Sequence, residues 1–269
     1  MSEWRSVLPG VQMWPDSCNV YAITGPDGVL VVDAGTGEWI DHVAELPDRP
    51  VALACTHFFR DHCAGAARAA RELGIPVLVP EREKGLFADP LEHFRGRKTY
   101  IVYVNYWDHF APVESIPVAG VLRDYERIEL AGMEIEVIPL SGATMNQVGL
   151  GFEVPGTTLQ AVCSGETIHS PGRVPRVAPL QYDYAGLWGA VEVWYSAADL
   201  RRRGTDVLLP SMGVPIVTDA DEALEAVQDT MEDLCATRPE EAGELAAARS
   251  VGTQPALTRL SEHVWLSQH

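Results

Sequence analysis

Residues 54–65 read ACTHFFRDHCAG, which brings His57, Asp61 and His62 into one short stretch. Imidazoles and a carboxylate at this spacing are ligand types for a divalent ion such as zinc. Without a metal, Asp61 and His62 could instead act as an acid/base pair. Phe59 stands between them, where another coordinating side chain is expected. Each of the three also has a structural reading. His57 can bond backbone at a strand end, Asp61 can cap a helix starting near Ala64, and His62 can do similar work.

These residues need elements to hold them. The apolar run at 50–57 predicts a strand buried on both faces, and 64–74 a helix closed by Gly74 and Pro76, with a strand at 76–80 after it. Upstream, 18–25 and 28–33 predict strands joined by GPDG, the segment 5–14 leads into the first of them, and 38–46 reads as a helix. Downstream lies an aromatic-rich stretch, 85–125, then strands at 126–132, 133–140, 147–156 and 157–165. A helix at 186–203, a strand in 205–213 and an acidic helix at 218–236 complete the series. Strand–helix–strand units with added hairpins build layered α/β folds. We divide the chain into a domain at 1–236 and a C-terminal tail at 237–269. Within the tail, RLSEHVWL (259–266) echoes RSVLPGVQMW (5–14), either as a terminal decoration or as the start of a second similar unit.

Composition narrows the partners. With 20 basic and 38 acidic residues the net charge is −18, which argues against nucleic acid or an anionic membrane. No apolar run is long enough to span a bilayer. Five scattered cysteines fit reduced thiols in a cytoplasmic protein better than a disulfide framework.

VVDAG at 31–35 and THFFRDHCAG at 56–65, with this order of elements, resemble the metallo-β-lactamase superfamily over about residues 7–235. The resemblance implies a four-layer αββα sandwich with a metal site in loops at one edge. It also implies a signature H-x-H-x-D-H, which this chain writes as His57-Phe58-Phe59-Arg60-Asp61-His62. Three further ligand positions map onto Ala143 in LSGATMNQVGL, Glu166 in CSGETIH and Met212 in LLPSMGVP. Phe59, Ala143 and Met212 are therefore lost ligand positions, and Glu166 replaces an aspartate that bridges two ions. The family's first ion uses three histidines, of which His57 remains. Its second uses Asp61, His62 and the late histidine, where Met212 offers only a soft thioether.

Two functions follow from this resemblance. In the first, the dinuclear site has eroded and the chain is inactive or strongly impaired, serving as a binding or assembly module for a small molecule, a second copy or an active paralogous domain. In the second, His57, Asp61, His62 and Glu166 hold one divalent metal, zinc before others. The chain then hydrolyses an ester, thioester, lactone, amide or phosphoester, with Asp61 catalytic. Asp33 is expected to organise the loops and Cys163 to be a buried thiol; an approach of Asp108 and His109 to the cleft from the aromatic stretch is the minor alternative for those two residues.

Overall fold

A computed structural model describes residues 3–95, 110–181, 186–251, 257–259 and 265–267. The expectations for 99–109, Asp108 and His109 included, lie outside the described residues.

Seven strands form the first sheet in sequence order: β1 (Arg5–Leu8), β2 (Val11–Pro15), β3 (Asn19–Gly25), β4 (Gly28–Val32), β5 (Pro50–Ala54), β6 (Val77–Pro80) and β7 (Gly120–Leu122). The first four pair antiparallel, and β4 through β7 pair in parallel. The second sheet holds β8 (Arg127–Leu130), β9 (Met133–Pro139), β10 (Val148–Glu153), β11 (Gln160–Gly165) and β12 (Val207–Pro210), in the order β12-β11-β10-β9-β8. Only β11 and β12 run parallel in that sheet.

Strand alternation sorts the side chains into layers. Leu30 and Val32 join Ile135, Val137, Leu150 and Cys163 in the apolar layer between the sheets. Their neighbours Val29 and Val31 face outward, under Trp39, Ala66 and Ala69. On the far side, Ile138 and Val162 pack beneath helices α5 (Trp188–Arg202) and α6 (Ala220–Cys235). The four-layer αββα sandwich is the observed architecture.

Local differences from the sequence expectations have physical causes. Residues 5–15, read as a lead-in, form the hairpin of β1 and β2. Strand β5 stops at Ala54, which leaves Thr56 and His57 in the loop beyond it. The helix expected over 64–74 forms as α2 (Ala66–Leu73), and a further short helix, α1 (Arg60–Cys63), precedes it across Gly65. Gly65 lies at the break because two backbones meet there: an added Cβ would come 2.5 Å from the Gly37 backbone. The Gly65 N–H donates to Gly35 O at 2.8 Å, and the Ala34 N–H donates to His62 O at 2.6 Å. This close approach presses the His57–His62 loop against the loop after β4. In the tail, residues Pro239–Val251 form a helix whose Leu245 packs into the layer with α5 and α6. Residues Leu257–Arg259 and Trp265–Ser267 pair as a separate two-stranded antiparallel sheet. Among the described residues no helix is long and apolar enough to cross a membrane.

Candidate metal centre

Asp33 is the hub of the loop cluster. Just past β4 it adopts a left-handed conformation (φ 58°), which aspartate tolerates better than most residues. Its Oδ1 accepts the Thr56 N–H at 2.8 Å, and its Oδ2 accepts the Ser211 hydroxyl at 2.9 Å. Burial pushes the Asp33 carboxyl up, partly offset by the His62 charge and by these hydrogen bonds. Gln147 performs the same task across the second sheet. Its Oε1 accepts the Glu166 N–H at 3.0 Å, while its amide donates to Thr167 Oγ1 at 3.1 Å. The Val148 N–H reaches Thr56 O at 2.9 Å, and the Ser211 N–H reaches Gly165 O at 2.9 Å. The loops after β4, β5, β9, β11 and β12 thus meet at one edge of the sandwich.

Three buried donor atoms converge there. His57 Nδ1 lies 2.8 Å from Thr56 Oγ1, whose hydroxyl also contacts both Asp33 oxygens at 3.0–3.1 Å. The hydroxyl has one hydrogen, and the carboxylate takes it. His57 Nδ1 must then carry its own hydrogen, leaving Nε2 as a bare lone pair. His62 Nδ1 lies 3.1 Å from Asp61 Oδ1. Among the described residues neither Nε2 has a hydrogen-bond partner, although both are buried. Glu166 Oε1 lies 3.9 Å from His57 Nε2 and 3.6 Å from His62 Nε2. Burial, reinforced by the His62 and Arg176 charges, holds the His57 pKa well below its ordinary value, so the ring stays neutral.

Arg176 closes the cluster. Its Nη1 sits 2.9 Å from Asp61 Oδ2, its Nε donates to Glu166 Oε2 at 3.3 Å, and its Nη2 donates to Glu166 Oε1. The guanidinium carbon lies 5.3 Å from the Phe59 ring centre and 5.4 Å from that of Phe110. Phe59 in turn meets His57 edge to face, with ring centres 4.8 Å apart. Burial alone would raise the Asp61 carboxyl, but the His62 hydrogen bond and the His62 and Arg176 charges outweigh it and hold it below the usual range.

Of the residues singled out from sequence, His57, His62 and Glu166 share one point in space, their ligand atoms all within 4.8 Å of one another. Asp61 is outside that group: it holds His62 and Arg176 instead. It caps no helix either, since α1 begins at Arg60 without a side-chain cap. Phe59 and Ala143 are buried in one apolar cluster beside the donors. Met212 is half-buried and follows Ser211, the residue that holds Asp33. Cys163 is buried between the sheets, one of five buried free thiols. Sequence reasoning missed Arg176, which lies in the irregular stretch PGRVPRVAPL and has no periodic or spacing signal. It also missed Glu83, buried beneath the motif, where it accepts the Phe58 N–H at 2.9 Å and the Thr144 hydroxyl at 2.5 Å. A groove of about 670 Å³ lies elsewhere, along Gly25, Arg127, Glu136 and Arg203. Its charges pair with each other, Arg203 with Glu136 at 2.6 Å for instance, and leave nothing aimed at a ligand.

The donor set fits one metal ion. Two imidazoles and a carboxylate form a set used by catalytic zinc, whose tetrahedral ligands stand about 3.3 Å apart. The observed separations of 3.6 and 3.9 Å are close to that. Two unpartnered imidazole nitrogens facing a carboxylate suit a cation between them, and of these three ligands Arg176 contacts only the glutamate. Among the described residues no further imidazole joins these three; the resemblance assigns other histidine places to Phe59, Ala143 and Met212. The other candidate group among the described residues, Cys18, Asp33 and His62, shares His62 with the first and has its carboxylate engaged by Thr56 and Ser211.

Comparisons with known proteins agree with this geometry at the level of fold. The family pattern described as the metallo-beta-lactamase superfamily matches residues 13–157. Among solved structures, BJP-1, a subclass B3 metallo-beta-lactamase of Bradyrhizobium japonicum, superposes with a TM-score of 0.65 at 17% identity, covering 90% of this chain and 96% of that one. FEZ-1 from Legionella gormanii superposes at 0.63 and 16% identity, covering 87% and 94%. A B3 enzyme described as the first with an active-site glutamic acid superposes at 0.64 and 16% identity, covering 89% and 91%. No curated protein matches the chain in sequence.

Proposed function

The chain belongs to the metallo-β-lactamase superfamily, and on that premise we propose that it is a hydrolase working with one divalent ion, zinc before others, held by His57, His62 and Glu166. One observation carries this reading: among the described residues, two buried imidazole nitrogens without a hydrogen-bond partner face a buried carboxylate oxygen. A bound ion there supplies Lewis-acid activation of a water and of the scissile bond. The chain's own residues do the rest. Thr56 and Asp61 fix the tautomers of His57 and His62, the second-sphere role that carboxylates and hydroxyls play around metal-binding histidines. Asp61 stays ionised and is 26% exposed against 1% for Glu166, which makes it the carboxylate able to orient water at the mouth and receive its proton. Phe59 and Phe110 exclude bulk water from the inner side.

The substrate carries an ester, thioester, lactone, amide or phosphoester, the bonds this chemistry cleaves. Zinc-loaded protein is tested against a panel of these, including a β-lactam amide, beside metal-stripped protein and His62→Ala. We expect turnover of at least one class that needs both the metal and His62. Zinc retained without turnover of any class would favour the binding-module reading, which the apolar filling at Phe59, Ala143 and Met212 supports.

A further inference from the structure

We propose that Arg176 is a built-in cation that stands in for a second metal ion and fixes the centre at one. The inference rests on the one-metal reading above. In the resemblance, Asp61 serves the second ion and the residue at Glu166 bridges both ions. Here one guanidinium engages both carboxylates, through Nη1 to Asp61 and through Nε and Nη2 to Glu166. A planar guanidinium suits this fork, and its charge persists at any working pH.

The lost ligand position supports it directly. Phe59 stands where a histidine is expected, and its ring now forms a face for the guanidinium together with Phe110. An imidazole replaced by an aromatic platform for arginine is a change from holding one cation to holding another. Charge balance agrees. Asp61, Glu166 and Arg176 sum to −1 without an ion and to +1 with one dication. A second dication would bring the sum to +3 within a few ångströms of a fixed positive charge, in surroundings too apolar to screen it. Arginine therefore neutralises the carboxylates when the metal is absent and repels a second ion when the first is present. An ordinary structural ion pair would do neither.

The experiment titrates zinc into metal-stripped wild type, Arg176→Met, Arg176→Gln and Arg176→Lys, reading stoichiometry, affinity and melting temperature. Wild type is expected to take one zinc. The neutral Met and Gln variants should bind the first zinc at least tenfold more tightly and take up a second, weaker one. Both should melt lower than wild type when stripped and regain more of that loss on adding zinc. Arg176→Lys keeps the charge and should stay at one ion. If either neutral variant folds yet binds zinc no more tightly than wild type, the proposal is overturned and Arg176 is a structural clamp. A lysine variant that takes two ions overturns it as well, as does a wild type that takes two, although that last result leaves metal-dependent hydrolysis standing. If wild type takes none and the neutral variants take one, the one-metal reading fails, while arginine as the competing cation survives.

Discussion

Glu83 offers a prediction whose size the structure sets. Its carboxyl is 1% exposed and bonds to the Phe58 N–H and the Thr144 hydroxyl. Burial raises its pKa from the ordinary 4.5 to about 8, against the opposing pull of those two hydrogen bonds. The folded protein therefore holds this proton at neutral pH, whereas the unfolded chain gives it up above pH 4.5. The sign follows from proton uptake: stability from this group is full below pH 4.5, declines as pH rises, and is lost once pH passes about 8. Each pH unit in that window costs about 1.4 kcal/mol, or on the order of 3–5 kcal/mol over its width. Glu83→Gln mimics the protonated acid, with its carbonyl free to accept from Phe58 and its amide free to donate to Thr144. Urea unfolding of both proteins from pH 5 to 9 measures the effect. The glutamine variant should gain on wild type steadily with pH, by a few kcal/mol near pH 8, and gain no more beyond. A difference that does not change with pH would refute the reasoning, and so would a glutamine variant less stable than wild type at pH 9.

Other perturbations test the frame. Asp33→Ala strands the Thr56 N–H and the Ser211 hydroxyl in the interior and should cost about 3 kcal/mol in urea unfolding; a loss under about 1 kcal/mol would deny the aspartate its role as hub. Gly65→Ala puts a Cβ 2.5 Å from the Gly37 backbone and should cost about 1–3 kcal/mol, whereas Gly85→Ala, with open space around it, should be neutral or stabilising by thermal melt. Restoring Phe59→His, Ala143→His and Met212→His together in an Arg176→Met background should raise zinc uptake above that of Arg176→Met alone by elemental analysis. No rise would deny these three positions a part in holding a second ion.

Much of the architecture was legible because its signals are local and periodic. Val29 and Val31 face one layer while Leu30 and Val32 face the other, as a strand buried on both sides requires. The four-layer fold came from motifs, VVDAG and the histidine stretch, set in the right order of elements. What escaped the sequence is set by encounters between distant segments. The gap between α1 and α2 at Gly65 answers to the distant backbone of Gly37, which no propensity encodes. Arg176 is a single arginine in a proline-rich loop, and its meaning arises only from the two carboxylates and two phenyl rings the fold brings to it. Asp61 has a ligand's type and spacing, yet its place beside His62 and Arg176 depends on a rotamer that spacing does not fix.

Metal content tests the central claim most directly. Wild-type protein is stripped with chelator, reloaded with zinc, desalted and analysed for zinc per chain, beside His57→Ala, His62→Ala and Glu166→Ala. One zinc in wild type and close to none in each variant is the predicted result. Wild type without zinc, or variants that keep it, would mean that His57, His62 and Glu166 hold no ion.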